Sequence, residues 1–233
     1  MATSTVIKTI SLVRLKPGVD RQRLRDEFLS TIAPAILEDS NTPLGMVANF
    51  EEGPPPGVTL YGDRSKTGEP TDMLLEMTFS SPESVNAVLT ELAQRLGSLS
   101  LPTASYDITD HVVFDRQLIA GGKPSTGFKL MRGLYFFADL PDSAASRSWL
   151  NHEKLAASVH IGCCRYVRHW VNRPLTPGAP KVRGFSDLQF ATIDDLANRY
   201  FDCERGRREI MQDISHFIER GMDRIYAREY VLR

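Results

Sequence analysis

Strand, helix, strand, strand, helix, strand is legible twice along this chain of 233 residues, and that repetition limits its folds more than any single motif. In the first pass an apolar-rich strand at Ile7–Lys16 leads into a helix whose stripe is Leu24, Phe28, Ile32 and Ile36, residues four apart and so on one helical face. A strand at Leu44–Phe50 and a Pro/Gly-rich loop through Pro70 follow. In Leu74–Phe79, Leu75, Met77 and Phe79 alternate with Glu76 and Thr78, the period of a half-buried strand. Ser81-Pro82 opens a second helix, with Pro where a missing N–H costs nothing. Val85, Val88, Leu92 and Leu96 form its apolar face, Gly97 ends it, and the strand Ser105–Asp115 closes the pass.

After a loop holding Gly121-Gly122 and Pro124 the order returns. It reads as a strand at Phe128–Phe137, a helix at Ser143–His160, and strands at Cys164–Asn172 and Phe185–Ala191. Thr192 and Asp195 form a capping-box-like start to a longer helix, broken near Gly206 and resumed through Phe217, and Arg224–Leu232 is the final strand. Fixed offsets support a duplication. Adding 121 carries Ile7-Lys8 to Phe128-Lys129 and Phe28-Leu29 to Trp149-Leu150. Past the longer middle loop the offset is 111, where Glu76 and Phe79 meet Asp187 and Phe190, and finally Thr109–Val113 lies over Arg228–Leu232. Residues 1–116 and 127–233 are therefore expected to be two repeats, with a linker at 117–126.

A βαββαβ unit folds as a four-stranded antiparallel sheet with both helices on one face. Its other face is too apolar to leave in water, and a second such sheet can cover it. The expected fold class is thus α+β: two tandem ferredoxin-like βαββαβ repeats forming an intramolecular α+β barrel, with a small ligand inside.

Composition narrows the partners. The chain is 42% hydrophobic and 24% charged, as a globular protein is, and its net charge of -1 gives no general attraction to nucleic acid or an acidic membrane. No apolar run approaches the ~18 residues of a membrane span, and Met1–Thr5 do not resemble a signal peptide, so a cytoplasmic protein is expected. Of three cysteines, Cys163 and Cys164 are neighbours on a strand and point to opposite faces, a poor metal clamp or disulfide. There is no phosphate-cradling Gly loop, dinucleotide fingerprint, HExxH or CxxC. His152, His160, Cys163 and His169 lack a tetrahedral ligand spacing. Neither metal nor cofactor is expected, and the partner is a small molecule. Free edge strands leave room for pairing into a homodimer.

The candidate site comes from asymmetry between the halves. His152 stands on a helix three residues after Trp149, where the first half has Thr31. It reads either as a helix-surface or capping histidine or as a proton donor and acceptor at the barrel mouth. Asp213 and His216 are three apart and can share a helical face, with a C-terminal histidine facing the helix dipole as the alternative. On the strands, Asp187 and Gln189 oppose Leu188 and Phe190, while Tyr226, Arg228 and Tyr230 oppose Ile225, Ala227 and Val231. If the apolar phase packs under the helices, these polar sets point into the barrel, with His169 beside them and Asp107, Thr109 and His111 as a poorer second wall.

With these residues in view, the second half resembles the EthD-like branch of the dimeric α+β barrel superfamily. The likeness rests on Trp149-Leu150-Asn151-His152, on Gly162-Cys163-Cys164-Arg165-Tyr166-Val167, and on Asp213-Ile214-Ser215-His216-Phe217-Ile218 leading to Tyr226-Ala227-Arg228-Glu229. It covers the whole chain as fold and about residues 127–233 as motif. The resemblance implies small, often aromatic or polyketide-like substrates, and relatives that are dehydratases, isomerases, lyases or cofactor-independent oxygenases. The leading expectation is a cofactor-independent acid–base enzyme of lyase or isomerase type acting on a small, largely apolar or aromatic oxygenated metabolite. His152, Asp213 and His216 would be catalytic, and Trp149, His169, Asp187, Tyr226, Arg228 and Tyr230 would hold the substrate. The rivals are a binding module that sequesters a hydrophobic metabolite and a haem-holding barrel.

Overall fold

The alternating segments form strands throughout the computed structural model, which describes residues 6–58 and 68–233; residues 59–67 of the Pro/Gly-rich loop and the first five residues lie outside the described residues. The strands are β1 Ile7–Val13, β2 Gly45–Glu51, β3 Met73–Phe79, β4 Ala104–Asp115, β5 Phe128–Phe136, β6 Cys163–Pro174, β7 Gly184–Phe190, β8 Ile218–Gly221 and β9 Ile225–Val231. Helix α1, Arg21–Glu27, starts where the Asp20 side chain accepts from the Arg23 amide at 2.7 Å. It passes through a π-helical turn at Phe28–Ile32 into α2, Ala33–Glu38, and Pro34, which has no N–H to return, sits where the widened turn ends. Ser81 caps α3, Pro82–Leu96. In the second half come α4 Asp142–Val159, α5 Ile193–Asn198 and α6 Glu204–Ile214.

Two details of the second half differ from expectation. The helix expected to run from Thr192 with a break near Gly206 is two helices, separated at Arg199–Cys203, and Gly206 lies in the first turn of α6. A Cβ there would strike Asp202, so the glycine serves the approach of that loop. Phe217 falls beyond the helix, and the chain then forms the short strand β8.

The strand order is β4-β1-β3-β2 in the first half and β9-β5-β7-β6 in the second, one arrangement occurring twice. Antiparallel pairing of β4 with β6 and of β2 with β9 joins the halves into a closed eight-stranded barrel, and β8 continues along the β9 side of β5. The registers repeat as well. Ile7 pairs with Phe79 as Phe128 does with Phe190, and Lys8 pairs with Ile108 as Lys129 does with Ala227. These pairings carry the same offsets that align the two halves of the sequence.

Under the helices the strands bury side chains on both faces. On the outer side of the first half, Met46, Met73, Leu75, Met77 and Phe79 meet Leu24, Phe28 and Ile36 from α1, the π turn and α2, and Val88 and Leu92 from α3. An eight-stranded barrel is just wide enough for side chains to fill, and this one is filled. Ile10, Leu12, Leu74, Tyr106, Met131 and Phe185 form an apolar layer within it. Beside them lies a belt of polar side chains, one from each barrel strand: Lys8, Asn49, Glu76 and Asp110 from one half, Lys129, His169, Asp187 and Glu229 from the other. The four pairs occupy equivalent positions. Lys129 Nζ reaches Glu229 at 2.6 Å, Asp187 at 2.9 Å and Glu76 at 3.4 Å. His169 Nδ1 donates to Asp110 at 2.7 Å, Lys8 pairs with Asp110, and Asn49 donates to Glu76 at 2.9 Å. Glu76, His169 and Asp187 offer atoms within 4.8 Å of one another, a set a metal ion could use, but the Lys129 ammonium lies against both carboxylates and supplies the cation. The interior expected to hold a ligand is therefore occupied by protein.

The belt makes stability respond to composition and pH. Lys129→Met leaves three carboxylates without their shared cation and is expected to cost about 3–5 kcal/mol in urea unfolding. Burial opposes charge on His169, but its contacts with Asp110 and Asp187 prevail and raise its pKa from 6.5 to about 9. The stabilisation it contributes is full below pH 6.5 and is lost as pH rises through 9. Unfolding free energies from pH 6 to 10 should show that fall in the wild type and not in His169→Gln; equal slopes would remove His169 as its source.

Candidate functional site

Helix α4 carries a buried stripe of Ala145, Trp149, His152, Ala156 and Val159, spaced three and four apart, so Trp149 and His152 face the sheet. Beneath them a cavity of about 90 Å³ lies between the outer face of β5, β6 and β7 and helices α4 and α6. Its floor is Leu130, Arg132 and Leu134 of β5, Ser186 and Leu188 of β7 and Tyr166 of β6, with Arg224 at the edge of β9. Its roof is Trp149, His152, His160, Tyr200 and, from α6, Ile210 and Ile214. Trp149 fixes one wall: its Nε1 donates to the Tyr166 hydroxyl at 3.2 Å, and its ring lies on Gly184, where any Cβ would collide with it.

The chemistry centres on His152. Its Nδ1 lies 2.6 Å from Asp213 Oδ2 on α6, and since a carboxylate only accepts, Nδ1 carries the hydrogen and Nε2 is the basic nitrogen. The histidine side chain is 6% exposed and the aspartate 39%, so the pair runs from the cavity to the surface. Burial lowers the His152 pKa, while the bond to Asp213 pulls it upward. His160, the C-cap of α4, donates from Nδ1 to the Tyr200 carbonyl at 2.7 Å, which leaves its Nε2 basic too. Burial pushes its pKa down to about 4, so it is neutral at physiological pH. Arg132 donates from Nε to Met222 O at 2.6 Å and from Nη2 to Gly221 O at 3.2 Å. A Cβ at Gly221 would collide with that guanidinium.

The residues singled out from sequence divide between the two faces of one sheet. Trp149, His152 and Asp213 meet on the outer face. His169 and Asp187 lie inside the barrel, in the polar belt. The expected Asp213–His216 pair does not form, because α6 ends at Ile214; His216 is exposed beyond it and Asp213 turns to His152. Tyr226, Arg228 and Tyr230 do not point into the barrel. Tyr226 packs with Leu130, Ala156 and Val159 beneath the helices, and Tyr230 meets Phe50 edge-on at 5.3 Å. Arg228 lies over Phe128 at 4.2 Å and 3.6 Å from Glu52. Ile225, Ala227 and Glu229 take the inner phase, since the large aromatic rings fill the wider space under the helices. Asp107 and Thr109 likewise face outward, to Arg173 and Asn172, and His111 meets Glu153 at 2.9 Å.

Arg132, His160, Ser186 and Arg224 were not anticipated. One signal was available: Arg132 stands in the apolar phase between Leu130 and Leu134, and Ser186 stands in phase with Leu188 and Phe190. A polar residue in a helix-facing phase marks either a packing fault or a site.

No protein-family model and no curated protein sequence matches the chain. Solved structures do. An anthrone oxidase-like protein superposes with a TM-score of 0.58 at 8% identity, covering 99% of this chain and 94% of its own. A candidate monooxygenase from Fusobacterium nucleatum subsp. nucleatum gives 0.56 at 10% identity, covering 100% and 94%. A chlorite dismutase mutant from Candidatus Nitrospira defluvii, in complex with cyanide, gives 0.54 at 12% identity, covering 98% and 92%. The chain shares the barrel fold of these proteins. At such identities the likeness extends to the fold alone. No helix among the described residues is long and apolar enough to cross a membrane.

Asp213→Asn removes the carboxylate that raises the His152 pKa, so this pKa is expected to fall further below 6.5. An NMR titration of the imidazole Cε1–H signals reads this directly, and an unmoved value would mean that the pair does not form in solution.

Proposed function

We propose that this chain is a small-molecule enzyme in which His152, held by Asp213, takes a proton from carbon beside a carbonyl group, and elimination or isomerisation follows. The observation that carries this is the 2.6 Å His152–Asp213 bond at the wall of an apolar cavity. Asp213 sets the tautomer and stabilises the imidazolium formed on proton transfer, while burial keeps His152 largely neutral and ready to accept. Arg132 is placed to hold an oxygen of the substrate. Trp149 is a wall of the site. His169, Asp187, Tyr226, Arg228 and Tyr230 take no direct part in this reading, and His216 none.

The cavity narrows the substrate. Benzene occupies an engineered cavity of about 150 Å³, whereas this one offers about 90 Å³. The reading therefore favours a short, acyclic carbonyl compound over the aromatic substrates that the family resemblance implies. By the same measure the residues here do not fit a haem, and we draw no step through one. We further assign the chain to the EthD-like branch, on Trp149, His152 and Asp213, and regard its halves as tandem ferredoxin-like repeats, supported by their common strand order and register.

Structural neighbours described as oxidase-like or monooxygenase favour a second reading, cofactor-free oxygenation, which begins with the same proton abstraction. A panel of small enolisable ketones and oxo acids in deuterated buffer tests both. Wild type should catalyse deuterium exchange at the acidic carbon, and His152→Gln should lose it by about 10²–10⁴-fold with its unfolding midpoint unchanged. Oxygen uptake accompanying exchange would select the second reading. Ligand binding with no exchange in the wild type would make the chain a binding module.

A further inference from the structure

A second histidine faces the same cavity, and the acid–base reading gives it no task. His160 closes α4, lines the roof together with His152 and is 4% exposed. We propose that His160 is a ligand-contacting residue whose Nε2 accepts a hydrogen bond from a hydroxyl group, so that the compound taken up is a short hydroxy ketone or hydroxy aldehyde. The carbonyl group and the deprotonation beside it rest on the function proposed above; the recognition of the hydroxyl does not.

The imidazole is held so that one nitrogen alone can meet a ligand. Its Nδ1 lies 2.7 Å from the Tyr200 carbonyl, which only accepts, so Nδ1 carries the hydrogen. The ring packs against Tyr200 at 4.7 Å and Phe201 at 5.5 Å between centroids. Backbone bonds fix this arrangement. Gly162 N donates to Arg199 O at 2.7 Å and Asp202 N to Val159 O at 2.8 Å, tying the end of α4 to the loop that carries Tyr200. Any Cβ at Gly162 would strike the Asp195 carbonyl, so this close approach requires a glycine. Burial pushes the His160 pKa down to about 4, and the ring is neutral at physiological pH. Its Nε2 is therefore an acceptor and not a donor, and among the described residues no side chain donates to it. An acceptor set among Leu130, Leu188 and Ile210 stays unsatisfied when a purely apolar ligand fills the cavity, and is satisfied by one that brings an O–H donor. A nitrogen with no proton to give cannot protonate a departing hydroxide. The hydroxyl is accordingly a handle that the ligand keeps, not a leaving group.

Hydroxyacetone and butanone test the handle, since they are nearly equal in size and differ by a hydroxyl in place of a methyl group. In calorimetric titration and thermal shift at pH 7, hydroxyacetone should bind the wild type about tenfold or more tighter than butanone does. His160→Asn keeps a donor for the Tyr200 carbonyl and removes the Nε2 acceptor, so it should abolish that preference. His160→Gln, whose amide oxygen can reach the Nε2 position, should restore part of it. Should His160→Asn fail to fold, the nitrogen NMR signal of His160 Nε2 in the wild type reads the contact directly: hydroxyacetone should shift it and butanone should not. His152→Gln should keep the preference while stopping deuterium exchange in hydroxyacetone. Preference without exchange in the wild type would leave the handle standing and sink the base. Equal affinities, binding of neither ketone, a preference untouched by His160→Asn, or an Nε2 signal that hydroxyacetone leaves in place would overturn the proposal.

Discussion

One buried ammonium ties the two halves of this barrel together. Lys129 sits between Glu76, Asp187 and Glu229 inside the barrel and is 3% exposed. A charge so placed is tolerable only if every partner arrives together, because removal of one leaves the others desolvated and unpaired. The partners come from β3, β7 and β9, so both halves must be folded and closed before the cluster is satisfied. The cluster also holds register, since a slip of one residue would move every belt group to the helix-facing side. By filling the middle of the barrel it leaves the outer faces of the sheets as the place where a ligand can be taken up.

Two short histidine–aspartate bonds among the described residues show how surroundings decide the charge of an imidazole. His152–Asp213 and His169–Asp110 are almost equally short, at 2.6 and 2.7 Å. Burial works against the charged form in both. His169 has Asp187 and Glu76 near it in addition to its partner, and its pKa rises to about 9. His152 has a partner half open to solvent and Arg168 acting against the charge, and its pKa falls. His169 is a cation in a structural network, whereas His152 is held toward its neutral form.

The fold was largely legible because its signals are local. The stripe through Leu24, Phe28, Ile32 and Ile36 places a helix whatever else the chain does, and the alternation in Leu74–Phe79 places a strand. The site was legible only in part. Trp149 and His152 stand out on one helix, but the bond from His152 to Asp213 joins residues 61 apart and has no local mark. Alternation separates the two faces of β9 without saying which is inner. Tyr226, Arg228 and Tyr230 look like a cavity wall until the size of the rings is weighed against the narrow barrel and the wider space beneath the helices. Asp187 and Gln189 do face inward, and they serve the belt.

The cavity lies where matching strand positions of the two halves differ. The residues that match Trp149, Ser186 and Leu188 in the first half are Phe28, Leu75 and Met77, all packed in its outer core. Arg132 matches Ser11, whose hydroxyl is held by Ser105 at 2.8 Å. Where the first half places Leu75 against the helices, the second places a serine, and the missing side-chain volume is the space beside Arg132. His152 replaces Thr31 directly above that space. A fold that needs two covered sheets for stability needs only one of them tightly packed, because the belt holds the barrel from within. The second half accordingly has Arg132, Ser186 and His152 at positions where the first has Ser11, Leu75 and Thr31.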